Sequence, residues 1–239
     1  MKVIKLEQVD STNNYAKSNI ENFADQTVIH AISQTSGRGR LSRSWVDLGV
    51  GNLFMTIILK PSESYKEEYS NLTQYMSVVL CKVFEFYGLE PQIKWPNDVL
   101  IDGKKIAGIL SETVMSGSVL KGIVLGIGVN LNAQKETVNS IPEKLATALN
   151  LELGADVDLD LFMSRLLGEF FDNYCEFLDG GFEYIKKDYI NRNCFLNKEL
   201  NIQIFNNIET GLAKSITDSG ELVLLKEDKE LVLTIGDIL

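Results

Sequence analysis

Histidine is almost absent. His30 is the only one among 239 residues, and it sits inside the apolar run Val28-Ile29-His30-Ala31-Ile32. A histidine-based metal site or a Ser-His-Asp triad would have to rest on that residue, and a histidine in such a run reads as structural. Cys81, Cys175 and Cys194 are odd in number and widely spaced. They offer neither a zinc-ligand spacing nor a disulfide framework, and argue for a reducing, cytosolic compartment. No apolar run comes near the roughly 20 residues that span a bilayer, and Met1 to Glu7 has no signal-peptide core. Positive charge is scarce: 23 Lys and Arg stand against 33 Asp and Glu, a net charge of −10. That balance argues against general binding to nucleic acid or to anionic membranes. Both standard phosphate fingerprints are missing too. There is no Gly-x-x-x-x-Gly-Lys-Ser/Thr, and Gly126-Ile127-Gly128 and Gly49-Val50-Gly51 each lack a dinucleotide loop's third glycine.

What is present suits a folded chain with a sizeable core. Hydrophobic residues make up 45% and charged residues 23%, on a length that fits one large domain or a large and a small one. Met1 to Leu6, Val28 to Ser33 and Asn52 to Leu59 read as strands. Asp10-Ser11-Thr12-Asn13 offers N-cap residues for a helix to about Ile20. Residues Tyr65 to Tyr87 and Leu159 to Leu178 carry helical amphipathic spacing. Asp102-Gly103 is a strong hairpin turn, between Val99 to Ile101 and Lys104 to Leu110. A second hairpin turns at Ser116-Gly117-Ser118 and returns through Val119 to Asn130, followed by a polar loop, Asn132 to Ser140. From Glu199 onward, short strands are separated by Asn206-Asn207, Asp218-Ser219-Gly220 and the charged turn Lys226 to Glu230. The expected class is α+β: residues 1–192 as a mixed sheet packed with helices, and 193–239 as a small β-barrel or β-sandwich unit.

Against the acidic background, Ser36-Gly37-Arg38-Gly39-Arg40-Leu41-Ser42-Arg43 puts three arginines and two glycines in eight residues. Glycine permits close approach and positive φ, and arginine binds carboxylate or phosphate with a planar fork. The run describes a loop for a polyanion. A merely solvated loop is the plainer alternative, but interleaved glycines cost entropy without a need for close approach.

Lys94-Trp95-Pro96-Asn97-Asp98 and Lys105 would extend such a site. Asp98 is a candidate to hold magnesium carried by phosphates. Asn97 can donate to and accept from an adenine edge. Lys104 and Lys105 point to opposite faces of one strand, so one can turn toward a site. Taken singly, each has a plainer reading: Asn97 and Asp98 as turn residues after Pro96, the lysines as hairpin decoration, residues 10–13 as a helix cap, Trp45 as core.

Taken together, the motifs resemble the biotin protein ligase family. They are Asp10 to Asn13, Gln34 to Trp45, Lys94 to Asp98, Lys105-Ile106-Ala107-Gly108-Ile109-Leu110 and Gly126 to Asn130, in that order. The resemblance implies a class II synthetase-like catalytic domain and an SH3-like C-terminal cap. It implies an enzyme that joins biotin to ATP and passes the biotinyl group to a lysine of a biotin carboxyl carrier domain. By position, Ser11, Thr12, Asn13 and Gln34 would surround the ureido ring. Gly37, Arg38, Gly39, Arg40, Trp45, Lys105 and Gly108 would complete the biotin site. Arg40, Arg43 and Lys105 would be catalytic and face the carboxylate and phosphates. Asn97 and Asn130 would join them on the nucleotide, and Asp98 would place Mg2+. Ser42 stands where the family commonly has glycine, and serine takes positive φ reluctantly.

Relatives are often homodimers. Some carry an N-terminal DNA-binding domain, whereas here the pattern starts within the first dozen residues; the form expected lacks that domain and binds no DNA. A lipoyl or octanoyl transferase of the same superfamily, or a non-catalytic biotin-binding protein, are the rival readings. The polar Ser-Thr-Asn set favours biotin over a plain acyl chain.

Overall fold

A computed structural model describes residues 2–41, 43–61, 67–141 and 145–239. Tyr65, where the predicted second helix starts, and Ser42 of the Gly-Arg loop lie outside the described residues. The elements run β1 (Lys2–Val9), α1 (Thr12–Ser18), β2 (Thr27–Gln34), β3 (Leu53–Leu59), α2 (Leu72–Phe86), β4 (Pro91–Lys94), β5 (Asp98–Ile101), β6 (Lys104–Ser116) and β7 (Val119–Val129). They continue with α3 (Lys135–Asn139), α4 (Leu149–Leu153), α5 (Leu159–Asp172), α6 (Tyr174–Asn191), β8 (Glu199–Ile204), β9 (Asn207–Ile216), β10 (Leu222–Lys226), β11 (Lys229–Leu233) and β12 (Asp237–Ile238). Chain contacts divide into two units, residues 1–66 with 103–165, and residues 67–102 with 166–239.

In the first unit the strands are ordered β1-β2-β3-β7-β6. β1 and β2 are parallel, and the other neighbours antiparallel, so the sheet is mixed. A parallel pair needs a crossover, which α1 supplies. Ala16 of that helix and Ile20 beyond it pack on Ile29, Ile58 and Val124. Every residue of β3, Leu-Phe-Met-Thr-Ile-Ile-Leu, is buried, as expected of a strand covered on both faces. Burying each such aliphatic chain stabilises by about 1.5–3 kcal/mol. Leu48, Ala133, Val138 and Ala148 form a smaller cluster, with Ile141, Ala146 and Leu151 packed against it.

In the second unit α2 packs against α6 through rings. Tyr75 stacks on Phe177 at 4.3 Å between centroids, and its hydroxyl donates to the Phe170 carbonyl at 2.5 Å. β8 to β12 form an antiparallel sheet in the order β11-β10-β9-β8-β12, the small SH3-like part of an α+β protein. Asn71 Nδ2 donates to the Ser219 carbonyl (2.9 Å) and Gln74 Nε2 to that of Gly220 (2.7 Å). Gly220 has φ 85°, and a Cβ there would lie 2.6 Å from Asn71 Nδ2, so the turn takes glycine on both counts. We propose that the SH3-like part begins near Asn193, between the end of α6 and the start of β8.

Several expectations shift. The helix predicted over 65–87 is α-helical from Leu72, after a 3-10 turn at Glu67–Asn71. The helix predicted over 159–178 is two helices parted at Asn173, and the second breaks again at Gly181, φ 57°. Amphipathic periodicity continues across such breaks because both segments bury the same side. The polar loop after Asn132 contains the short α3. Asp102 and Gly103 both have positive φ, 48° and 74°, as a two-residue I′ turn demands.

Candidate functional site

The Gly-Arg run folds as a tight ladder. Trp45 N donates to Gly37 O (3.0 Å), Gly39 N to Arg43 O (2.7 Å) and Arg43 N to Arg40 O (3.0 Å). Arg38 and Ser44 form an antiparallel bridge. Gly37 serves here through space and not through φ. A Cβ on Gly37 would fall 2.6 Å from Trp45 O, while among the described residues of the run the positive φ belongs to Leu41, at 48°.

The polar set gathers at the start of α1. Ser11 has N-cap backbone geometry, but its side chain makes no cap bond, and it is buried. The plain capping role therefore leaves its hydroxyl for other work. Gln34 Oε1 accepts from Thr12 N (2.7 Å) and Thr12 Oγ1 (3.2 Å). Thr56 Oγ1 lies 2.8 Å from Thr12 Oγ1 and 2.6 Å from Asn13 Oδ1. Asn13 Nδ2 donates to Leu110 O (3.2 Å) and Glu112 Oε2 (3.0 Å). Arg38 Nη1 donates to Glu112 Oε1 (2.9 Å) and Asn14 Oδ1 (3.0 Å), and Lys17 Nζ also reaches Glu112 Oε1 (2.8 Å). Burial pushes the Glu112 carboxyl up. The hydrogen bonds from Lys17 and Asn13, with the charges of Lys17 and Arg38, outweigh this and hold it below the ordinary 4.5.

Trp45 lies on a floor of strand glycines. Gly108 pairs with Gly128 across β6 and β7, and Leu110 with Gly126. A Cβ on Gly128 would come within 2.6 Å of the indole and one on Gly108 within 2.8 Å; one on Gly126 would collide with Asn13 Oδ1. Lys105 Nζ stands 5.4 Å from the Trp45 ring centroid, within cation–π range. Trp45 Nε1 is buried with no hydrogen-bond partner among the described residues, and an indole N–H in that state is a donor awaiting an acceptor. Lys104 instead turns to Glu152, 3.9 Å away.

Arg40 is half-buried and Arg43 exposed, in the same loop. Asn130 is buried; its Nδ2 donates to Thr147 O (2.9 Å) and its backbone N to Ile106 O (2.9 Å), which ties residues 147–149 to the end of β7. Asn97 and Asp98 belong to the second unit. Asn97 is buried, and Asp98 opens β5 opposite Lys94. Among the described residues no three His, Cys, Asp or Glu side chains cluster as a metal site. One half-buried carboxylate fits a magnesium ion that takes its remaining ligands from phosphate and water.

The sequence model of the biotin/lipoate A/B protein ligase family matches residues 6–130. The chain belongs to that family. It is 31% identical over 207 residues to the bifunctional ligase/repressor BirA of Bacillus subtilis, covering 85% of this chain and 62% of the relative's length. To the biotin–[acetyl-CoA-carboxylase] ligase of Paracoccus denitrificans it is 30% identical over 226 residues, 92% of each chain. Its fold is similar to that of the Aquifex aeolicus biotin protein ligase in complex with biotin and ATP, with TM-score 0.81, 28% identity, and 100% and 97% of the two chains covered.

Two members of this polar cluster carry no motif. Thr56 is the one polar residue in the apolar run of β3, and that polarity was its signal. Glu112 lies two residues past the matched Lys105 to Leu110 segment. Its signal was phase: it is four residues from Gly108, on the strand face where glycines make room.

Proposed function

We propose that this chain is an ATP-dependent biotin–protein ligase, catalysing two transfers at one site. A carboxylate oxygen of biotin attacks the α-phosphorus of ATP; the bond to pyrophosphate breaks, and biotinyl-5′-adenylate forms. A lysine amine of a carboxylase's biotin carrier domain then attacks the acyl carbon, AMP leaves, and the amine loses a proton. The observation that carries the reading is the convergence of the polar ring-binding set, Lys105 and the unpartnered Trp45 indole N–H around one glycine floor. Similarity to an Aquifex ligase holding biotin and ATP, and to a Paracoccus biotin–[acetyl-CoA-carboxylase] ligase, supports the same chemistry.

In this reading Ser11, Thr12, Asn13 and Gln34 take the ureido ring, whose donors and acceptor need fixed partners. Gly37, Arg38, Gly39, Trp45 and Gly108 wall the biotin. Arg40, Arg43 and Lys105 face the carboxylate and phosphates, Asn97 and Asn130 would take the adenine, and Asp98 would hold magnesium, whose charge would relieve the triphosphate. Carboxylate and phosphate repel by roughly 4 kcal/mol at contact when the effective dielectric is near 20, and fixed cations cancel that cost while stabilising the charge that moves onto pyrophosphate. A loop over the adenylate keeps water from the mixed anhydride.

The test is ATP–pyrophosphate exchange with biotin, lipoate and octanoate in turn. Exchange is expected with biotin alone. Comparable exchange with lipoate or octanoate overturns the substrate, and biotin binding without exchange would leave a binder in place of an enzyme.

A further inference from the structure

We propose that Glu112 is a positioning residue that sets which end of the Asn13 amide faces the ligand, and so sets specificity for the ureido ring. The inference rests on the biotin reading above. A carboxylate can only accept hydrogen bonds. Glu112 Oε2 takes one from Asn13 at 3.0 Å, and the Leu110 carbonyl, also an obligate acceptor, takes another at 3.2 Å. Both bonds require the NH2 end of Asn13 and account for both of its protons. Oδ1 is thereby turned toward Thr56, 2.6 Å away, and lies over Gly126. It accepts the single Thr56 proton and keeps a lone pair.

Across the set, Gln34 Oε1 accepts from the Thr12 backbone N–H at 2.7 Å, which turns its Nε2 outward toward Gly37. The two amides thus present opposite polarity, an acceptor from Asn13 and a donor from Gln34. A ureido group offers the complement, N–H beside C=O. Glu112 is itself held by Lys17 and by Arg38 of the Gly-Arg loop, at 2.8 and 2.9 Å. Its ionised form, favoured by these partners, is the form that cannot donate and cannot invert Asn13.

Glu112→Gln keeps the shape but replaces one of the two obligate acceptors by a group that can also donate, leaving the longer bond to the Leu110 carbonyl alone to hold the amide's orientation. The experiment measures dissociation constants for biotin and for biotin methylated at either ureido nitrogen, with KM for ATP as the second readout. Wild type is expected to reject at least one methylated form by about 100-fold or more, because it leaves the Asn13 acceptor unpaired. In Glu112→Gln that ratio should fall to about threefold or less through weaker biotin binding, with KM for ATP held within about twofold. Glu112→Asp retains the obligate acceptor and should keep a ratio of about tenfold or more. An unchanged ratio in Glu112→Gln overturns the inference alone, as does equal loss in the Asp and Gln variants, which would indicate a purely steric role. A wild-type protein that binds no biotin overturns the biotin reading together with it.

Discussion

Lys105 holds its ammonium 5.4 Å from the centre of the Trp45 ring, so the cation and the indole act as one wall. The strand pair below is stripped to glycine at Gly108 and Gly128 to make room for that indole.

The pairing supports the proposal that Lys105 is the lysine of the chemistry and Lys104, at Glu152, the bystander. Lys105→Ala should lower the rate of ATP–pyrophosphate exchange by about 100-fold or more. The dissociation constant for biotin should move by less than about tenfold. Lys104→Ala should keep the exchange rate within about twofold. Exchange kinetics and calorimetric binding of biotin to both variants check this, and reversed effects would exchange the two assignments.

The glycine floor makes a second expectation. An alanine at 128 places a methyl 2.6 Å from the indole, and the ring must lift. Gly128→Ala should lose about 1–3 kcal/mol of stability, with biotin binding weakened by about tenfold or more. Denaturant unfolding and calorimetry measure the two effects separately. Lost stability at unchanged biotin affinity would mean that Trp45 does not wall the biotin.

His30 should give the protein a pH-dependent stability that no other histidine can blur. Burial holds its pKa below the ordinary 6.5, offset only in part by its bond to the Phe54 carbonyl, 3.2 Å from Nδ1. The unfolded chain therefore binds the proton first. Stability is full above 6.5 and is lost as the pH falls from there toward the depressed folded value. Denaturant unfolding between about pH 7.5 and 5.5 should show the fall in wild type, and a smaller one in His30→Gln. Parallel curves would place the titration elsewhere.

In the second unit, Tyr75→Phe removes the hydroxyl that donates to the Phe170 carbonyl, one of the end carbonyls of α5 with no helical partner. The expected cost is about 1–3 kcal/mol with the ring stacking retained. Exchange activity at a temperature where both proteins are folded should not change. A change in stability below about 0.5 kcal/mol would show that water satisfies the carbonyl equally well.

Much of the molecule was legible before any fold was seen, wherever the evidence is local. Strand β3 announces itself by seven consecutive buried-type residues with one threonine, and the Asp102-Gly103 turn by the positive φ that both residues then adopt. The Gly-Arg loop stands out because its charge opposes that of the whole chain. Helix ends were less legible at 67–72 and near 173, where apolar spacing runs on past the point at which the α-helix ends.

Linear order could name the lysines, the glycines and the capping residues of the site. Strand alternation alone left Lys104 and Lys105 undecided until the family resemblance singled out Lys105, and it could not say that Ser11 spends no hydroxyl on its cap or that Glu112 holds Arg38 and Asn13 together. Those relationships arise from strand register, Gly108 against Gly128 and Leu110 against Gly126, and from a crossover helix laid over the sheet. Register is a property of pairs of residues distant along the chain. A shift of one position would send Gly108, Leu110 and Glu112 to the opposite face.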